Sequence, residues 1–258
     1  MIFADIKGKN HVPEDMLTSN CIGLLSILPP IHLISFLSKA INSQGEKLNI
    51  ISFSEIEKLE FWPYMANIGE PDVLCILKKP STNDQLVLII ECKHDAGKSG
   101  HGVIGDDISD QLSRYYLGAT KYYKNKKIII IYLTHHRFFP KKEIKESVDI
   151  INNNNPIFWI SWFHLYEYIL EQLMKKEKKI IERKIFELLK SYLETKGYQK
   201  WRSWCSIKSS IFPKIIYTHK YNNMFLTPKL LVLYKRKYNS INLTHKPAKE
   251  VYNVKYYN

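Results

Sequence analysis

Asp72, Glu91 and Lys93 have the types and the spacing to do chemistry together. They bracket two apolar runs, Val-Leu-Cys-Ile-Leu after Asp72 and Leu-Val-Leu-Ile-Ile before Glu91, separated by a polar break that includes Pro80, Ser81, Asn83 and Asp84. Apolar runs of this length bounded by turn residues read as the two strands of a β-hairpin. Strand alternation puts Glu91 and Lys93 on one face. With the turn centred on Ser81 and Thr82, antiparallel pairing sets Asp72 opposite Glu91. Two carboxylates and an ammonium then meet at one end of an apolar hairpin. Burying such charges is costly, so the grouping points to a held cation or to catalysis, with a structural ion pair as the plainer alternative.

The elements that must position these residues are legible on either side. A helix is expected over 13–28: Pro13 suits its first turn, Glu14 and Asp15 suit its dipole, and Leu17, Cys21, Leu24 and Leu28 recur at helical spacing before Pro29 and Pro30 end it. Glu14 extends the apolar stripe toward the core side and Asp15 sits about 100° round the helix, so Glu14 is the better candidate for the site, unless both acids simply complement the dipole. A second apolar helix covers 31–41, and the second half of 52–67 reads as a strand leading to the hairpin. Gly69 offers a bend before Glu70, whose own side chain is expected to face outward. Beyond Lys93, the Gly97-Lys98-Ser99 run lacks the glycine a phosphate loop needs five residues earlier, where Cys92 stands; a loop at the mouth of the site is expected, with Lys98 and His101 available to a phosphate. A helix over 107–125 places Gln111 and Tyr115 on one face. The run 128–134 reads as a strand buried on both faces, and 157–162 as a further short strand. His135 and His136 are expected to point oppositely and so to be poor joint ligands. Strands separated by helices make an α/β domain with a mixed sheet.

The order Glu70-Pro71-Asp72, eighteen residues, Glu91-Cys92-Lys93 resembles the PD-(D/E)XK nuclease superfamily, over roughly residues 12–134. Gln111 and Tyr115, beginning eighteen residues past Lys93, match the Gln-x-x-x-Tyr spacing of its RecB-like branch, where that pair borders the active site. The resemblance implies a restriction-endonuclease-like core with a mixed central sheet flanked by helices over residues 1–165, followed by a basic helical and β-rich C-terminal extension over 166–258. It implies that Asp72 and Glu91 coordinate Mg²⁺, with Mn²⁺ able to substitute, and that the backbone carbonyl of Cys92 is a third ligand. Lys93 would orient the attacking water or stabilise charge on the phosphorane, and Glu14 would add a further acid to the metal site. The implied substrate is DNA, with RNA the other polyanion the motif allows. Relatives acting as dimers or beside partner proteins in restriction, repair or phage defence suggest the same for this chain by analogy.

Composition bounds the remaining classes. At 258 residues with 45% apolar content, the chain can bury one sizeable core, and it has no apolar run long enough to span a membrane. The N-terminus is too mixed for a signal peptide, and Cys21, Cys75, Cys92 and Cys205 show no metal-binding or disulfide spacing, so a reducing cytoplasmic setting is expected. The net charge of +13 is unevenly spread. Residues 175–258 hold 20 Lys/Arg against 5 Asp/Glu, and the rest 18 against 20. A basic final third, rich in Tyr, suits a polyanion partner, although a chain so rich in Lys, Asn and Ile also fits a biased coding composition. Residues 163–196 look helical and Gly197 a C-cap; strand-like pieces follow at 211–217 and 230–234. A non-catalytic nucleic-acid-binding protein using this basic third is the alternative function.

Overall fold

The computed structural model describes residues 2–199 apart from 10, 11, 67, 83, 96, 101, 105, 106, 153–155 and 176–178. His101, Cys205, the strand-like pieces at 211–217 and 230–234 and most of the basic excess lie outside the described residues. In chain order the elements are α1 (Ile2–Ile6), α2 (Pro13–Ile27), α3 (Pro30–Leu37), β1 (Glu55–Phe61), β2 (Val73–Lys78), β3 (Gln85–Cys92), the two-residue strands β4 (Val103–Ile104) and β5 (Asp107–Ile108), α4 (Gln111–Tyr122), β6 (Lys127–Thr134), α5 (Lys141–Ile151), β7 (Ile157–Ser161), α6 (Trp162–Met174) and α7 (Ile180–Thr195). None of the described helices is long and apolar enough to cross a membrane.

Five strands form one mixed sheet in the order β1-β2-β3-β6-β7. The first three are antiparallel neighbours, and β3, β6 and β7 run parallel. Near-continuous apolar sequence places β2, β3 and β6 in the centre, because both faces of these strands are covered. The charge-studded β1 takes an edge, where exposed polar side chains guard the open ladder. On one face, Val87 and Ile89 pack with Leu112 and Tyr115 of α4 and Ile144 of α5. On the other, Leu88 and Ile90 pack with Leu17 and Cys21 of α2, Leu33 of α3 and Phe186 and Leu189 of α7.

The hairpin register runs from Lys78 opposite Gln85 to Val73 opposite Ile90, and one further step sets Asp72 against Glu91. Several boundaries differ from the sequence reading. The strand before the hairpin occupies 55–61 rather than the second half of 52–67, because Trp62 turns into left-handed backbone (φ 47°) ahead of Pro63. Helix α4 begins at Gln111, later than 107, because the Asp110 carboxylate caps it by accepting from the Ser113 N–H at 2.9 Å. The helical stretch 163–196 is two helices, α6 and α7. Their Leu165, Ile169, Phe186, Leu189 and Leu193 belong to the core beneath α2, so the first compact unit runs Met1–Lys200, beyond residue 165. Gly197 closes α7 in left-handed backbone (φ 81°), with the Tyr198 N–H donating to the Leu193 carbonyl at 2.9 Å. That turn throws Tyr198 back toward the end of β3. Gly118 of α4 serves close approach: a side-chain carbon there would overlap Ile68, in the segment that delivers Gly69 and Glu70 to the hairpin.

Candidate active site

Asp72, Glu91, Lys93 and Glu14 meet at the end of β3. The Asp72 carboxylate bridges the hairpin mouth, its Oδ2 accepting from the Cys92 N–H at 2.7 Å and its Oδ1 from the Trp62 indole Nε1–H at 3.2 Å. Glu91 is 2% exposed, and its Oε1 takes the Lys93 ammonium at 2.6 Å. Its other oxygen, Oε2, is buried with no hydrogen-bond partner among the described residues. The Lys93 ammonium also donates to Glu14 Oε1 at 3.1 Å, and Glu14 Oε2 accepts from the His94 N–H at 3.0 Å. Both oxygens of Glu14 are therefore occupied in holding Lys93 and the end of the strand. The Trp162 indole N–H donates to the Lys93 carbonyl at 3.1 Å and fixes the same backbone from below.

Gln111 and Tyr115 stand behind the hairpin. The Gln111 amide donates to the Tyr115 hydroxyl at 3.0 Å while its Oε1 accepts from the Ser99 N–H at 3.0 Å, and the Tyr115 hydroxyl donates in turn to the Glu70 carbonyl at 3.1 Å. The pair thus ties α4 to both the loop after Lys93 and the entry to β2. The Glu70 carboxylate faces outward and pairs with Lys9.

Electrostatically the site is under tension. Burial, reinforced by the charge of Glu91, pushes Asp72 well above the usual carboxylate range against the pull of the Cys92 N–H and Lys93. Burial likewise raises Glu91, with Lys93 and, more weakly, Gln111 opposing. Burial works against the Lys93 ammonium, yet the charges of Glu91, Asp72 and Glu14 outweigh it and hold Lys93 above its ordinary value. A carboxylate whose pKa is raised by folding adds stability below its unfolded value, about pH 4, and loses it as pH climbs through the raised folded value. Glu91→Gln keeps the acceptor for Lys93 and removes the buried charge. We expect this variant, without metal, to melt higher than the parent at pH 7.5, by about 0.5–2 kcal/mol. The gain should shrink toward pH 4, and thermal melts across that range in chelator measure it. A lower melting temperature at pH 7.5 would count against the tension.

No family model matches this chain, and no curated protein and no solved structure matches it at a significant level. The site's chemistry therefore rests on its own residues. Whether they suit a divalent cation turns on Glu91 Oε2, a buried oxygen beside a second buried carboxylate and with no hydrogen-bond partner among the described residues. Hard carboxylate oxygens suit Mg²⁺ or Mn²⁺ rather than a thiophilic metal. Among the described residues no group of three His, Cys, Asp or Glu forms a ready-made cage. Magnesium does not need one, since it keeps several waters and binds through one or two carboxylates.

Some expectations give way. Lys98 is not available to a phosphate: its side chain is wholly buried and paired with Asp110, also wholly buried, and it donates to Ser147 Oγ at 3.0 Å. Burial without a partner would be prohibitive for an ammonium, so Asp110 in the helix cap is what draws it inward. His135 and His136 do not point apart. The strand ends at Thr134, alternation ends with it, and the two rings stack with centroids 4.3 Å apart. Asp15, set aside in favour of Glu14, is the more buried of the two, with burial raising its pKa against Lys9. Trp62 as the donor to Asp72 has no sequence signal beyond a bulky indole just before Pro63, which says nothing of φ or of partners.

Proposed function

We propose that this chain is a metal-dependent nuclease of the PD-(D/E)XK type, built on a restriction-endonuclease-like core and hydrolysing phosphodiester bonds of DNA. The observation that carries the reading is the unsatisfied, buried Glu91 Oε2 beside Asp72 and within the ion-pair network of Lys93. A bound Mg²⁺ would supply Lewis acidity and a more acidic water. Asp72 and Glu91 would hold the ion, with the Cys92 carbonyl completing the protein's share. Lys93, kept protonated at neutral pH by three carboxylates, presents a fixed positive charge to the phosphate where negative charge develops. Glu14 aims that ammonium and anchors His94. Gln111 and Tyr115 hold the loop and the hairpin entry in register with α4. The side chains are already placed before substrate arrives, which is the preorganisation that electrostatic catalysis requires.

Incubation of the purified chain with plasmid and with linear DNA, in Mg²⁺ and in chelator, tests the reading. Cleavage is expected in Mg²⁺ and Mn²⁺ and not in chelator. Salt-sensitive binding without turnover in any divalent metal would instead favour the second reading, a non-catalytic nucleic-acid-binding protein, which the net +15 of residues 175–258 supports.

A further inference from the structure

Strand β6 runs parallel to β3, with Leu133 opposite Cys92 and the Lys93 N–H donating to the Leu133 carbonyl at 2.8 Å. The chain leaving β6 therefore emerges at the same end of the sheet as Lys93. There it carries Arg137 and Phe138, and Phe138 is 84% exposed. Arg137 beside it is exposed as well, so the rim of the polar site presents an aromatic ring and a cation together.

The Arg137 guanidinium lies 3.9 Å from the centre of the Phe163 ring and forms no ion pair among the described residues. Phe163 meets the edge of Tyr198 at 5.0 Å, and the Tyr198 hydroxyl is hydrogen-bonded to His94 Nδ1 at 2.5 Å. A run of rings thus leads from the residue next to Lys93 to the Arg137 guanidinium, and Phe138 follows Arg137 in the chain. Just beyond it, Lys141 and Lys142 stand exposed in the first turn of α5, where the helix dipole favours an anion, while Glu143 of the same turn is engaged by the Tyr132 hydroxyl and His136.

The geometry points to a docking ledge for a single-stranded nucleic acid, with an unstacked base lying on Phe138 and the adjoining phosphates taken by Arg137, Lys141 and Lys142. Every base has a face that can stack on an aromatic ring, whereas in a duplex those faces are covered by neighbouring pairs. Charge complementarity selects the polyanion, and the exposed ring selects the unpaired strand. This deepens the nuclease reading, on which it rests for the identity of the polymer, by assigning a substrate class: single strands, ends or bubbles in preference to uninterrupted duplex.

The test uses the full chain in chelator, so that no cleavage intervenes. The probe is a fluorescent twenty-residue oligodeoxythymidylate carrying one 5-iodouracil, with a blunt duplex as comparison. The parent protein should bind the single strand, and irradiation should crosslink it within the peptide that contains Phe138. In Phe138→Ala the crosslink should disappear and single-strand affinity fall about tenfold or more, the effect of losing one base–aromatic stack, with duplex affinity and melting temperature unchanged. Phe138→Trp should restore both. Crosslinks confined to residues 201–258, unchanged single-strand affinity in Phe138→Ala, no binding by the parent, or a change in sedimentation instead of in binding would each overturn the ledge. Cleavage of single-stranded DNA in Mg²⁺ that persists unchanged in Phe138→Ala would overturn it while leaving the nuclease reading intact. Phe138-dependent binding without any cleavage would support it and remove the nuclease.

Discussion

Lys93→Met should abolish Mg²⁺-dependent cleavage and lower the melting temperature, whereas Glu91→Gln should abolish cleavage and raise it. Removing one preorganised charge from the reacting centre costs about 10²–10³ in rate, and losing a metal ligand adds to that. The two variants reach the same inactivity by opposite routes. Lys93 neutralises Glu91 and Glu14 at 2.6 and 3.1 Å, so its loss leaves the buried Glu91 and the half-buried Glu14 without their cation. Glu91→Gln removes the anion and leaves Lys93 paired with Glu14. Cleavage rates on plasmid together with thermal melts check both halves. Undiminished cleavage in either variant takes that residue out of the mechanism; melting temperatures that move together refute the proposed charge balance.

Lys98→Met should be more destabilising than Lys93→Met, lowering the unfolding free energy by about 3–5 kcal/mol. It strands the fully buried Asp110 carboxylate, whose pKa burial tends to raise while the Lys98 bond and the Ser113 donors hold it below the usual range. Sign and window follow from that depression. Stability from Asp110 is present above its unfolded pKa of about 4 and lost as pH falls through the lower folded value. Lys98→Met should therefore weaken the protein at neutral pH and cost less under acid. Adding Asp110→Asn, which keeps an acceptor for the α4 cap, should recover the larger part of the loss. Urea unfolding of the parent, the single and the double variant measures this coupling, and equal stabilities for the single and double variants would disprove it.

These two clusters differ in how far the sequence announced them. The hairpin pairing of Asp72 with Glu91 could be read from a turn centre and a period of two, because a strand's register follows from local geometry once the loop is known. The central position of β6 followed from its uninterrupted apolar run, and the helical face shared by Gln111 and Tyr115 from their spacing. Lys98 is not legible in this way, because a lysine among glycines has the local signature of a solvated loop residue. Its partner Asp110 is twelve positions away, and only the folding of that loop onto α4 and α5 makes burial affordable. The histidine pair escapes local reasoning for a related reason: alternation holds only within a strand, and this strand ends at Thr134, just before them.

The amino-acid order by itself determined the α/β layout, the sheet's buried centre and the face on which the hairpin gathers its acids and its lysine, since each depends on periodicity and on neighbours close in sequence. Tertiary structure alone decided that Glu14 clamps Lys93 across 79 positions, that Trp62 in left-handed backbone donates to Asp72, that Glu91 keeps one oxygen unsatisfied, and that α7 returns Tyr198 to His94. Such contacts join segments whose separation is set by packing, and burial, which turns ordinary charges into strained or paired ones, is a property of the whole core and not of any local stretch.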